Sequence, residues 1–434
     1  MQARHDLPPE QRIVVTGWGM VTPLGGSVEE TWAACAAGRS GVRELARWDA
    51  TGLPTRIGGE VKDEWITAHD PLGHDAGATR PHRLLLTAAR QAAAMADLPA
   101  FRNRFRVAVV VGGHAGSPPV ADIERTTRHG REDGSVDEAG LSREPAYDAR
   151  MFHLRRCDHA PAVVAHDLHA RGRAIGIVSA CAASAQAIGE ATRLLREGRA
   201  DAVVAGGVEA HLDYAGYVGF ALLGALAKKY PSPEKASRPF DRRRSGFVMS
   251  EGAAIVVLET LASARSRGRT VLGEVLGYGE SADGFRITDV HPEGQGAILA
   301  MTRALADAGL PPEAVEYVNA HGTSTAINDP VETLALKRVL GPERAKQVPV
   351  SSNKSMLGHT IGAAGAVEAI LTWKGMQEGL LLPTINYEAP DPKCDLDYVP
   401  NVARPMRHSV ALSNSFGFGG QNASLCLGAA RSEH

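Results

Sequence analysis

"VSACAASAQAIGEATRLLREGRADAVVAGGVEA", Val178 to Ala210, holds one helix and one strand, and its reading decides the rest. After Cys181, Ile188, Ala191 and Leu195 recur on one helical face, and Gly198 follows the last turn. "ADAVVAGGVEA" (Ala200 to Ala210) is then a short continuous apolar run that stops at glycines, as strands buried on both faces do. Working outward, "RVAVVVGG" (Arg106 to Gly113) and "RIVVTGWG" (Arg12 to Gly19) have the same character. Between them "SVEETWAACAAG" carries Ser27 and Glu30 at capping-box spacing and ends at Gly38. Downstream the scheme repeats with different residues: "EYVNAHGTS", a helix "DPVETLALKRVLG", "VPVSS", a small-residue helix "IGAAGAVEAILTWKGMQEG", and strands around "SVALSNSFGFGG" and "NASLCLG". Strand and helix alternate in both halves, so the class is α/β. No identity between the halves is visible, so the duplication is expected in structure alone.

The chain's 434 residues exceed one hydrophobic core, and 44% apolar content suffices for two. The expected division is 12–265 and 270–428. A net charge of −2, with both signs spread along the chain, argues against nucleic acid and membrane surfaces as partners. Five scattered cysteines, Cys35, Cys157, Cys181, Cys394 and Cys426, read as reduced thiols of a cytoplasmic protein. The first residues lack an apolar leader core, and no run approaches the roughly 18 apolar residues of a membrane span. Ser117 to Asp158 is the least regular part, expected to be a long lid or partner-facing loop.

Three stretches carry candidate chemistry. A cysteine in the first turn of a helix meets the positive end of the dipole and unpaired N–H groups, which are expected to lower the Cys181 thiol pKa. A lone cysteine among alanines is more often a buried small hydrophobe. "NAHGTSTAINDPVE" places His321 at a strand end, followed by Gly322 and three hydroxyl residues, where ligand contacts fall in α/β folds. "SSNKSMLGHTIGAAGAVE" gathers Lys354, His359 and Glu368 around a turn opening a Gly/Ala helix. Taken singly, each of these sites is more often structural. One thiol, two imidazoles and an ammonium in strand-to-helix turns of two matching halves are not.

From about Ile13 to Leu427 the chain resembles the β-ketoacyl-acyl-carrier-protein synthases, the elongating condensing enzymes of fatty acid and type II polyketide synthesis. The carriers are "VVTGWGMVTPLG", the "SAC" turn, "VAGGVEA", "RPFDRRRSGFVMSEGAA", "NAHGTST", "NKSMLGHTIGAAGAVE", "NVAR" and "NSFGFGGQNASL", in this order. The resemblance implies the thiolase fold, two similar α/β halves forming a layered αβαβα core. It implies Cys181 as acyl-carrying nucleophile, His321 and His359 completing a Cys-His-His triad, and Lys354 with Glu368 supporting the second His. Phe418 matches the gating phenylalanine, whose N–H joins that of Cys181 as oxyanion hole. Thr323 and Thr325 match the hydroxyls that hold phosphopantetheine. No metal or redox cofactor is implied; the substrates ride on the phosphopantetheine of an acyl carrier protein. The implied assembly is a homodimer or a heterodimer with a chain-length-factor-like homologue.

Departures from the family pattern bear on substrate and partner. Gln186 stands where the family commonly has His, Gln421 for a Thr, Ala326 for a Pro, and Asp289 and His291 for small or hydroxyl residues near the pantetheine entrance. "GHAGSPP" (Gly113 to Pro119) and "MFHLRRCDHAPAVVAHDLHARG" (Met151 to Gly172) replace a glycine-rich turn and an apolar interface helix. Arg155, Arg156, Asp158, His159 and His166 make the second segment polar, and charged groups are rarely buried without partners. These changes point to specialised metabolism with unsaturated, aromatic or polar acyl chains; a housekeeping fatty acid elongase is the alternative. His153, Cys157, His159, His166 and His169 match no zinc spacing. A non-condensing chain-length-factor-like subunit would typically lack Cys181, and a thiolase would need a second cysteine that "GFGG" does not supply.

Overall fold

Ten strands form one hydrogen-bonded array in the computed structural model, which describes residues 3–67, 79–101, 103–113, 120–144, 156–286 and 288–431. They are β1 (Ile13–Val21), β2 (Val107–Gly113), β3 (Ala174–Ile177), β4 (Ala202–Glu209), β5 (Gly252–Thr260), β6 (Gly273–Ala282), β7 (Tyr317–Asn319), β8 (Val350–Ser351), β9 (Val410–Phe416) and β10 (Gln421–Gly428). The order is β8-β7-β9-β10-β6-β1-β5-β4-β2-β3. The two halves of this order match strand for strand. In each half the first strand pairs antiparallel with the last, which pairs antiparallel with the fourth; the fourth, second and third are parallel. The half-sheets join where Ile13 to Val15 pair with Gly273 to Val275.

The helices complete five layers. Those used below are α1 (Val28–Ala36), α2 (Arg80–Met95), α3 (His159–Asp167), α4 (Ala183–Arg196), α5 (Tyr214–Leu222), α6 (Gln295–Ala308), α7 (Asn328–Leu340) and α8 (Ala364–Glu378). α2 covers β1 and β5 on one outer face, and α6 covers β6 and β10 on the other. α4 and α8 lie side by side between the half-sheets, each touching strands of both. Small residues allow this: a Cβ on Gly365 would sit 2.8 Å from Ala185. The expected αβαβα sandwich is therefore present. Each half has an outer core of its own, around Leu85 and Val109 in one and Met301 and Val318 in the other. The central core is shared, combining Ile188 and Leu194 with Ile370 and Trp373.

α1 starts as its capping box requires, with Ser27 Oγ accepting the Glu30 N–H at 3.2 Å. One expectation needs correction: the supposed loop Ser117 to Asp158 contains helices Val120–Arg128 and Glu138–Leu141. Its charges had masked them. They form local pairs, Arg125 to Asp122 at 2.8 Å, and an N-cap in which Asp137 accepts the Gly140 N–H at 3.1 Å. His114 to Pro119 of "GHAGSPP", and Met151 to Arg155 with His153, lie outside the described residues. Of the His/Cys-rich tract, Cys157 is exposed and His159 Nδ1 lies 3.2 Å from His82 Nε2. Among the described residues no helix is long and apolar enough to cross a membrane.

Candidate active site

Cys181 occupies a tight turn, Ala180–Ala182, between β3 and α4. Ala180 is left-handed at φ 48°, a conformation costing a non-glycine residue of order 1 kcal/mol or more. The chain thereby turns abruptly from strand to helix and aims Sγ at the sheet's carboxyl edge. Cys181 is 1% exposed. The "GFGG" loop after β9 closes on it: a Cβ on Gly417 would lie 3.0 Å from the Ser179 carbonyl and 3.1 Å from the Cys181 nitrogen. That approach brings the backbone N–H of Phe418 to the sulfur, alongside the N–H of Cys181 itself.

His359 Nε2 is 3.0 Å from Cys181 Sγ. Its other nitrogen, Nδ1, accepts the Ile361 N–H at 3.2 Å, which leaves the ring proton on Nε2, facing the sulfur. His321 meets His359 edge-on, with ring centroids 5.3 Å apart. The strand end carrying His321 is held by a residue absent from the sequence-based set: Glu332, on α7, accepts the His321 and Gly322 N–H groups, both at 2.8 Å. Asp329, one turn earlier, accepts the Phe240 N–H at 2.7 Å. Both belong to "NDPVE", and their signal was acidic residues beginning a helix just past a strand-end histidine. Lys354 is 2% exposed and ion-paired with Glu368, also buried.

The electrostatics correct one expectation. Burial pushes the Cys181 thiol up to about 12 rather than down; Lys354 and the two N–H groups only partly offset it. The helix-terminus argument omitted desolvation, which dominates for a fully enclosed sulfur. Both imidazoles are held well below their ordinary value, by burial first and Lys354 next, so they are neutral at pH 7. Burial likewise raises the Glu368 carboxyl to about 7, against the pull of Lys354.

The triad forms the floor of a pocket of about 310 Å³. Thr323 and Thr325 line its wall with their hydroxyls 3.0 Å apart, and Asp289 and Ile327 line it further out. Phe418 also lines the pocket and packs with Phe220 and Phe247 over the sulfur. All eight residues expected from the sequence thus converge on one site: Cys181, His321, His359 and Phe418 around the sulfur, Lys354 and Glu368 behind, Thr323 and Thr325 on the approach. Cys181, His321 and His359 are the one group among the described residues with donor atoms close enough to share a metal ion, all within 4.8 Å. Lys354, whose charge already depresses both rings, opposes a cation there.

A thiol at a strand-to-helix turn, two neutral imidazoles and a converging glycine loop define a thiolase-fold condensing enzyme. The chain belongs to the β-ketoacyl synthase family: residues 10–264 match the model of the beta-ketoacyl synthase N-terminal domain and residues 272–388 that of the C-terminal domain. It is 41% identical over 419 residues to a 3-oxoacyl-[acyl-carrier-protein] synthase 2 of Synechocystis, covering 96% of this chain and 98% of that protein. A synthase of the same name from Coxiella burnetii is 40% identical over 425 residues, covering 96% and 98%. Among solved structures, a beta-ketoacyl synthase from Burkholderia phymatum superposes with a TM-score of 0.86 at 33% identity, over 97% of this chain and 100% of that one. A ketosynthase solved with its type II polyketide acyl-carrier protein gives 0.85 at 31% identity, over 99% and 100%.

Proposed function

We propose that this enzyme condenses a Cys181-bound acyl group with malonyl-acyl-carrier protein, with decarboxylation, to give a β-ketoacyl thioester. The observation that carries the reading is the convergence on one sulfur of His359 Nε2, at 3.0 Å, and the N–H groups of Cys181 and Phe418, at the floor of an open pocket. In the first step Cys181 Sγ attacks the acyl thioester and the carrier thiol leaves with the proton. The tetrahedral oxyanion is received by the two N–H groups. In the second step the malonyl carboxylate leaves as carbon dioxide and its bonding pair passes to the thioester enolate. His321 and His359, being neutral, donate hydrogen bonds to the enolate oxygen. In the third step the enolate carbon attacks the Cys181 acyl carbon, the oxyanion re-forms, and collapse expels the thiolate, which takes up a proton.

Thr323 and Thr325 hold the amide-bearing arm of the carrier in this reading, which their position on the pocket wall supports. Cys181 with its full set of donors supports a condensing subunit over a chain-length-factor-like one. The test is intact-mass analysis after incubation with acyl-carrier thioesters, followed by malonyl-carrier: an acyl adduct on Cys181 and its loss as β-ketoacyl product are expected. An adduct on Cys157 instead, with Cys181 unmodified, overturns the assignment.

The pathway reading from the sequence is specialised metabolism, resting largely on segments whose polarity departs from the family. A second reading, elongation of saturated chains, is favoured by the 40–41% identity to 3-oxoacyl-acyl-carrier-protein synthases over nearly the full length. Turnover of saturated medium and long chains against short polyenoyl or aryl ones, with and without any neighbouring homologue, decides between them. A dimer, homo- or heterotypic, fits the edge of β3, which among the described residues pairs only with β2 and leads to Val178, 58% exposed. The unpaired cysteines suit a reducing cytoplasm.

A further inference from the structure

Glu209 ends β4, is 2% exposed, and takes no part in the steps above. Its Oε2 accepts the Gly362 N–H at 3.3 Å; its Oε1 accepts the Ala210 N–H at 3.0 Å and lies 3.5 Å from His211 Nε2. Gly362 sits in the turn Ile361–Ala363 that opens α8. The preceding residue, Ile361, is at φ 36°, a left-handed conformation that a β-branched side chain resists, so the surroundings must hold it there. The Ile361 N–H is the group that donates to His359 Nδ1. Two consecutive amides of one strained turn are therefore committed: one sets the His359 tautomer, the next is gripped by a buried carboxylate. The glycine permits the grip, since a Cβ at 362 would come within 2.6 Å of Gly113 Cα and 3.4 Å of Glu209 Oε2.

We infer that Glu209 is a positioning residue: by holding the Gly362 N–H it keeps the Ile361 amide aimed at His359 Nδ1, and so keeps the His359 proton on Nε2, toward the substrate. Its effect on catalysis rests on the function proposed above; its effect on the ring does not.

The test compares Glu209→Gln, which keeps an acceptor for the Gly362 N–H, with Glu209→Ala, which does not. In ¹⁵N-histidine spectra, with His359 assigned through His359→Asn, wild type and Glu209→Gln should show the Nε2–H tautomer and Glu209→Ala a mixture. Malonyl-carrier decarboxylation should fall about tenfold in Glu209→Ala and less than about threefold in Glu209→Gln, with Cys181 acylation within about threefold in both, since only the aim of one donor is lost. A Glu209→Ala protein with wild-type tautomer and decarboxylation overturns the inference, as does a Glu209→Gln protein that loses both as fully as Glu209→Ala. If Glu209→Ala does not fold, Glu209→Leu, which fills the space without an acceptor, takes its place with the same expected and overturning outcomes. If wild type does not decarboxylate malonyl-carrier, the functional reading fails while the tautomer result still judges Glu209.

Discussion

α4 and α8 are the same helix built twice. Each follows a tight turn, Ala180–Ala182 or Ile361–Ala363, whose first residue is left-handed, and each gives way to a left-handed glycine, Gly198 or Gly379. Their N-termini carry the same partial positive charge, worth about half an elementary charge. What meets that charge differs. At α8 a carboxylate from the other half, Glu209, accepts the Gly362 N–H permanently. At α4 the equivalent position is Cys181, and the loop from the other half supplies not an anion but a further N–H donor, that of Phe418. Each half thus reaches across to the start of the other's helix, which ties the two into one unit. One cap is complete at rest; the other is left waiting for negative charge that exists only during reaction, on the thiolate or the tetrahedral oxyanion. Enclosure of the sulfur pushes the thiol up to about 12, and the waiting N–H groups offset only part of that rise.

The largest expected effect comes from removing the one feature that makes α4 differ. Cys181→Ala and Cys181→Gln should each lower condensation by at least about 10⁴-fold, as loss of a covalent nucleophile does. Malonyl decarboxylation should survive, because the rings assigned to the enolate remain, and Cys181→Gln should raise it by placing an amide oxygen where the acyl oxygen sits. Condensation that persists, measured as β-ketoacyl product by mass spectrometry, would place the nucleophile elsewhere.

The histidines come next. His321→Ala and His359→Ala should each lower decarboxylation about 100- to 1000-fold, with a smaller loss in acyl transfer. Equal losses in both half-reactions would make them structural. The two rings also leave a mark on stability. Unfolded, each binds a proton near pH 6.5; folded, each stays neutral until well below that. Their contribution is thus complete above pH 6.5 and is lost as pH falls, by about 1.4 kcal/mol per unit per ring. Glu368 opposes them: raised to about 7, it binds its proton more readily folded than unfolded, and its contribution is lost as pH rises through 7. Urea midpoints between pH 5 and 7 should accordingly fall less steeply with acid in His359→Gln than in wild type. An unchanged slope would mean that the ring is protonated in the fold.

Lys354→Ala should cost about 100-fold in decarboxylation and about 3–5 kcal/mol in stability, since it strands Glu368 in the core. Lys354→Met with Glu368→Gln should recover most of the stability and little of the activity if the ammonium acts on the rings. Activity that returns with stability would reduce Lys354 to a packing role.

How much of this was readable in the sequence follows from which forces are local. The paired turns and strand ends, with Cys181, His321, Lys354, His359 and Glu368 beside them, were legible because glycine and cap spacings are short-range; Phe418 and the assigned roles came from the family resemblance that the motifs carry jointly, and the structure brings all eight candidates to one site. The reversed sign of the Cys181 shift was not legible, since enclosure depends on Phe247 and Phe418, 66 and 237 residues away in the chain. Glu332 and Glu209 escaped notice for a related reason. A carboxylate's role here is set by the backbone amides it meets, and for Glu209 those include one 153 residues away. The helices Val120–Arg128 and Glu138–Leu141 were hidden because they are short and highly charged and their stabilisation is polar and local, although the first is amphipathic.

The smallest expected effect probes the contact that separates the two helix caps. Gly417 is at φ −97°, so alanine would not strain its own backbone. The obstacle is space, because a Cβ would lie 3.0 Å from the Ser179 carbonyl and 3.1 Å from the Cys181 nitrogen, so the loop must retreat by a few tenths of an ångström. That retreat carries the Phe418 N–H away from the sulfur while leaving His321 and His359 in place. Gly417→Ala should therefore slow acylation of Cys181 and condensation about tenfold, less than full loss of an oxyanion donor, with decarboxylation within about twofold. Single-turnover acylation followed by mass spectrometry, beside carbon dioxide release from malonyl-carrier, separates the two. Equal slowing of both would mean that the loop and the histidines move as one body, and that the open cap at α4 is not independent of the machinery around the enolate.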